Sequence, residues 1–241
     1  MSTLPLPERV MGNGYPTTDG KPMAETDYHR DLMGALIETL KVFYADEPMV
    51  YVSGNLLLFY EEGNRRKHVS PDVFVVPGVA MCQRPNYLLW EEGQPPRFLI
   101  ELTSSSTRRA DTGRKFELYR DVLKVREYFL FDPLEDYLTP SMQGWRLRGG
   151  VYHPIRAVAG RLPSLTTGLH LARDGTVLRL WNPQTRSWLP TPQERAEDAE
   201  QARDDAEQRA TAETQARRQA DAENARLRRL LERAGIPHEG D

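Results

Sequence analysis

Residues 98–120, FLIELTSSSTRRADTGRKFELYR, hold a short apolar run that ends on an acidic residue, then a polar turn, then a segment with helical spacing. Pro96 stops any preceding helix and launches the extended run RFLIELTS, which is apolar enough for the interior of a sheet. Glu101 falls at the C-terminal end of that strand. SSSTRRAD supplies N-cap candidates, Thr107 among them, for a helix through Leu123. On that helix Asp111, Lys115 and Tyr119 recur every four residues and share a face, so a carboxylate and an ammonium can reach the same point. A strand ending on a carboxylate thus feeds a helix carrying a lysine.

Working outward, VREYFLFDP is a second continuous buried-type strand, ended by Asp132-Pro133. Upstream, MVYVSGNLLLFYEE and VSPDVFVVPG read as two adjacent strands joined through residues 61–67, with Asp72 at the start of the second. A carboxylate there is costly to bury unless something pairs it. A metal ion is one such partner, and a turn hydrogen bond after Pro71 is the other. Earlier still, Leu32, Met33, Leu36, Ile37, Leu40 and Phe43 recur at helical spacing through AETDYHRDLMGALIETLKVFYAD, with Thr26 or Asp27 as cap and His29 and Glu25 one turn apart near the start. The order is therefore helix, three strands, helix, strand. Residues 78–96 are expected as a long connection. Residues 134–190 are expected as hairpins that turn at Gly149-Gly150 and Asp174-Gly175 and extend the core, with Trp145, Trp181 and Trp188 as packing residues.

The chain has 241 residues, 39% of them hydrophobic, enough for one sizeable core once a polar tail is set aside. No apolar run reaches membrane-spanning length, and MSTLPLPERV lacks the features of a secretory signal, so a cytoplasmic protein is expected. The single cysteine, Cys82, cannot form an internal disulfide. The net charge of -3 divides unevenly: the segment from Glu194 onward has 9 Arg against 13 Asp and Glu, and the remainder is close to neutral. A strong non-specific nucleic-acid binder is thereby excluded, and any contact with DNA must rest on local patches. Arg65, Arg66 and Lys67, with His68, and the group Arg108, Arg109 and Arg114 offer such patches, or are ordinary charged turn residues.

Three segments follow: an N-terminal Pro/Gly-rich arm over 1–23, an α/β domain over 24–190, and an Ala/Glu/Arg-rich helical tail over 191–241. A heptad started at Ala199 puts eight apolar residues on eleven seam positions, but six of the eight are alanine. That seam supports a weak coiled coil anchored by Leu227, Leu230 and Leu231, with homo-oligomers through residues 194–234, or else a single solvated helix.

Two carboxylates from adjacent strands can hold Mg²⁺ or Mn²⁺, and a nearby lysine adds positive charge at a phosphate. Asp72 and Glu101 are the candidate metal ligands and Lys115 the candidate lysine. Its plain alternative is an i,i+4 pair with Asp111 facing solvent. With Pro71-Asp72 and Glu101-Leu102-Thr103, the αβββαβ order resembles the PD-(D/E)XK restriction-endonuclease-like fold. HVSPDVFVVPG and PRFLIELTSSSTRRADTGRKFELYRDVLKVREYFLFDP resemble the Uma-two family of endonucleases over roughly residues 20–190. The resemblance implies a restriction-endonuclease-like α/β core with a mixed sheet, to which the chain's own pattern adds a C-terminal β-hairpin extension and a long C-terminal helix. It implies a Mg²⁺- or Mn²⁺-dependent DNA endonuclease in which Asp72, Glu101 and Lys115 are catalytic. Asp111 and Tyr119 match further helix positions of the family and are expected as accessory residues. The chain's own pattern adds His29 as an accessory candidate and Arg65, Arg66 and Lys67 as candidate nucleic-acid contacts. One departure is Thr103, which stands where the parent motif has its lysine. Lys115 resembles a migrated substitute, and a silent nuclease-like binding module is the alternative function.

Overall fold

A computed structural model describes residues 14–17, 26–104 and 106–233. Most of the N-terminal arm, with Glu25, lies outside them. The helical periodicity of the first apolar stretch produces Asp27–Phe43 (α1), where Thr26 Oγ1 accepts the His29 amide at 3.2 Å as an N-cap. Val50–Ser53 (β1) follows.

Two long strands were expected between residues 49 and 78, and four short ones form: β1, Leu58–Phe59 (β2), His68–Val69 (β3) and Val73–Pro77 (β4). β1 pairs antiparallel with β4, while β2 pairs with β3 in a separate small sheet. The break has a steric cause at Gly54, where a Cβ would lie 1.9 Å from the Asp72 carbonyl oxygen. Asn55 then adopts φ +47°, and its amide donates to the Pro71 carbonyl at 2.8 Å. The backbone of Asp72 is thus threaded against Gly54, the residue that follows β1.

Residues 78–96 are not a plain connection, since they contain Tyr87–Leu88 (β5), parallel to β2, and Leu89–Glu92 (α2). Tyr15 packs its ring against Phe59 and Trp90, 5.0 and 5.1 Å between centroids. Phe98–Leu102 (β6) then pairs antiparallel with β4 and parallel with Glu127–Phe131 (β7). Met142–Arg148 (β8) and Val151–Pro154 (β9) extend the same sheet, giving the mixed order β1-β4-β6-β7-β8-β9. Leu162–Pro163 (β10), His170–Asp174 (β11), Val177–Asn182 (β12) and Ser187–Trp188 (β13) form a further antiparallel sheet. Asp174 pairs with Val177, so the β11–β12 turn residues are Gly175-Thr176, one step later than expected.

Strand alternation sorts the core. Phe98, Ile100 and Leu102 face α1 and the β10–β12 leucines, packing with Leu36, Leu40, Leu169, Leu171 and Leu180. Leu99 lies on the opposite face with Tyr119, Leu123 and Tyr128, and Glu101 shares that side of the strand. A second buried acid, Glu127, ties the sheets together. It accepts from Arg146 Nε at 2.8 Å, Ser164 Oγ at 2.7 Å, and the Leu165 and Thr166 amides at 2.9 Å. Burial raises its pKa, but these donors outweigh burial and hold it below the usual carboxylate range.

The helix expected through Leu123 is broken. Arg108–Asp111 (α3) and Arg114–Glu117 (α4) are separate, and residues Leu118–Val122 close as a π-helical turn. Thr112 Oγ1 bonds back to the Arg108 carbonyl at 2.8 Å, and a Cβ on Gly113 would meet the Arg109 carbonyl at 2.8 Å. Thr107 does not cap α3; its hydroxyl accepts the Ser104 amide instead.

The chain divides into two compact units, residues 1–191 and 192–241. The second is built on one helix, Pro192–Arg233 (α5), whose alanine, glutamate and arginine content favours helix and whose described side chains are all at least partly exposed. Among the described residues, no helix is long and apolar enough to cross a membrane.

Candidate active site

The carboxylates meet because of strand register. β4 and β6 pair Val73 with Ile100, and one further step sets Asp72 opposite Glu101. Asp72 Oδ2 accepts the Leu102 amide at 2.7 Å and lies 3.5 Å from His29 Nε2 on α1. Of the two partners considered for Asp72 from sequence, a turn hydrogen bond is therefore replaced by one across the sheet. Glu101 is 1% exposed, deep enough that its charge requires compensation. Two side chains supply it. Lys115 Nζ donates to Oε2 at 2.9 Å, and Tyr119 Oη donates to Oε1 at 2.5 Å.

Lys115 also reaches Asp111 Oδ1 at 3.1 Å. This is the i,i+4 pair read from the sequence, but it does not face solvent, because Asp111 is 1% exposed. The break at Gly113 leaves the alignment intact. Tyr128 Oη donates to the Asp111 carbonyl at 3.0 Å, and the rings of Tyr119 and Tyr128 pack 5.1 Å apart, fixing both helix segments to β7.

The electrostatics follow from the count: Asp72, Glu101 and Asp111 surround a single ammonium. Burial pushes the Glu101 carboxyl well up, Lys115 opposes this, and the charges of Asp72 and Asp111 add to it. Burial likewise raises Asp111 against the pull of Lys115. For Lys115, burial favours the neutral amine, but Glu101, Asp111 and Asp72 together outweigh it and hold the ammonium charged. Burial, then the Glu101 charge, pushes the Tyr119 hydroxyl up, so it remains a donor.

Such a surplus of carboxylate suits a hard cation bound through oxygen. Asp72 and Glu101 can offer oxygens from adjacent strands, although among the described residues no group of three His, Cys, Asp or Glu side chains is set to hold a metal by itself. Water or phosphate oxygens would complete the coordination, as is usual for Mg²⁺.

The structure brings His29, Asp72, Glu101, Asp111, Lys115 and Tyr119 together. It does not bring Arg65, Arg66 and Lys67 to them; these lie exposed in the β2–β3 turn and make no hydrogen bond or ion pair with the carboxylates. Arg108, Arg109 and Arg114 are exposed on the helices that carry Asp111 and Lys115. Thr103 is buried, 2% exposed, and unable to supply a charge. Two contributors escaped the sequence reading: the Leu102 amide, which has no side-chain signature, and Gly54. A glycine inside a strand-like run is a known mark of close backbone approach.

Against known proteins, residues 17–177 match the family described as "Uma2: Putative restriction endonuclease". No curated protein matches the chain. Among solved structures, the chain resembles the crystal structure of a "putative nuclease belonging to DUF820" from Anabaena variabilis, at 17% identity and a TM-score of 0.44, over 65% of this chain and 85% of that one. The profile spans both strands that carry the carboxylates and the helices that carry Lys115 and Tyr119, and on that match this chain belongs to the Uma2 (Uma-two) family.

Proposed function

We propose that this protein is a Mg²⁺-dependent endonuclease that hydrolyses DNA phosphodiester bonds, Mn²⁺ being an alternative ion. The observation that carries the reading is the buried cluster in which Lys115 bridges Glu101 and Asp111 while Asp72 stands opposite Glu101. Asp72 and Glu101 would hold the ion, which supplies neutralisation of phosphate charge and a more acidic water. Lys115, kept cationic by three carboxylates, offers a fixed positive charge to a phosphate oxygen. Tyr119 locks one Glu101 oxygen, and the Leu102 amide locks one oxygen of Asp72. Asp111 holds Lys115 from the other side. Arg65, Arg66 and Lys67 are assigned to the DNA backbone outside this centre, where exposed guanidinium and ammonium groups add affinity without sequence preference. Residues 194–234 are assigned to self-association.

Supercoiled plasmid incubated with Mg²⁺ or Mn²⁺ tests the reading. Wild type is expected to nick or linearise it, chelation to stop it, and Asp72→Ala, Glu101→Ala or Lys115→Ala to slow it by about 10²-fold or more. Wild-type rates in all three variants would refute the assignment. A catalytically silent DNA- or protein-binding module is the second reading, favoured by Thr103 at the parent lysine position; calorimetry finding no divalent-ion binding to the wild type would select it.

A further inference from the structure

The helix α5 carries a charge pattern that its amphipathic seam does not require. Residues 194–213 hold eight Asp or Glu against three Arg, a net of -5, whereas residues 214–233 hold three against six, a net of +3. Leu227 and Leu230 lie near the basic end at 47% and 49% exposure, and the acidic half has only alanines on its apolar stripe. Pairing the helix with itself in parallel sets each seam residue against its own copy. Arg209 then meets Arg209, Glu213 meets Glu213 and Glu223 meets Glu223, three like-charge layers in one seam. Reversing one copy removes all three.

We infer that α5 binds α5 of a second copy of this chain in antiparallel orientation, acidic half against basic half. The inference rests on self-association through the tail and specifies its geometry. The register that sets Leu230 and Leu227 against Ala199 and Ala202 of the second copy packs large on small side chains at both ends. The same register flanks the seam with Asp198 opposite Arg233 and Asp205 opposite Arg226 of the second copy, four opposite-charge pairs in the dimer. Arg209 and Glu213 face alanines across the seam and lie one turn apart on their own helix, where they can pair. An acidic start and basic end also complement the dipole of a lone helix. That influence fades within the first and last turns, whereas the pattern here runs through the whole length.

The test is disulfide trapping in the full chain. Cys82, free and exposed, is first replaced by Ser. Ala206→Cys and Glu223→Cys are then introduced separately, because the register places these two positions opposite one another. Each variant oxidised alone is expected to remain a single chain, and an equimolar mixture to give a crosslinked dimer. Light scattering of the uncrosslinked protein should show a twofold mass that falls as NaCl rises from about 0.05 to about 0.5 M. Crosslinking of either variant to itself would establish parallel pairing, and a constant monomer mass would establish a lone solvated helix. Either result, or a mixture with no crosslinked product, overturns the inference. Plasmid cleavage is a separate readout, so failure of the tail geometry is distinguishable from failure of the nuclease site.

Discussion

Lys115 Nζ stands between two carboxylates that are each 1% exposed, at 2.9 and 3.1 Å, so its removal leaves Glu101 and Asp111 buried without a counter-charge. Lys115→Met should lower stability by about 3–5 kcal/mol at neutral pH. Saturating Mn²⁺ should recover part of that loss, as chemical denaturation with and without the ion would show. Glu127 titrates in the opposite sense from Glu101. Its folded-state pKa is depressed, so its stabilisation is present above the unfolded carboxylate value and lost as pH falls through the folded one. Glu127→Gln should therefore cost about 3–5 kcal/mol at pH 7, since it leaves Arg146 partly buried beside a neutral group. The gap between variant and wild type should narrow as pH falls below the unfolded carboxylate value and close only beneath the depressed folded one. Of these roles, the meeting of Asp72, Glu101 and Lys115 was legible only with the family resemblance, because strand ends and helical spacing by themselves leave Lys115 free to pair with Asp111 in solvent. The burial of Asp111 and the Tyr119–Glu101 bond were not, since both depend on how the helix sits on β7.

At the scale of elements, the strand that carries Glu101 is readable because its apolar run is bounded by proline and by a polar turn. The pieces between β1 and β4 are not, since β2 holds two residues whose partners, β3 and the distant β5, are chosen by tertiary packing. Gly54 decides that break. Gly54→Ala would drive a Cβ into the Asp72 carbonyl, a backbone atom that cannot rotate away. The variant is expected to lose about 1–3 kcal/mol or more in urea denaturation. Cleavage should fall as well, since the displaced backbone belongs to a proposed metal ligand. The broken helix over residues 108–122 shows the same limit of sequence reading. Spacing alone keeps Asp111, Lys115 and Tyr119 on one side, and only the local contacts of Thr112 and Gly113 reveal that the helix does not run through.

For the whole molecule, the αβββαβ order was visible because each main strand is an apolar run bounded by turn residues and each helix has helical spacing, and the central sheet realises that order with parallel β6 and β7 at its middle. The β10–β13 sheet packs on the α1 face, and the Glu101 side of β6 is covered by the small β2–β3–β5 sheet and by the helices that bring Lys115 and Tyr119. Both faces of the mixed sheet bury apolar cores, and the Glu101 face also gathers the charges of Glu101, Asp111 and Lys115. The most direct test of the central claim is a crystal of the wild-type protein soaked in Mn²⁺ and measured for anomalous scattering. An anomalous peak within coordination distance of both Asp72 and Glu101, absent from Glu101→Gln, is the predicted result. Density for both carboxylates at full occupancy with no anomalous peak between them would contradict it.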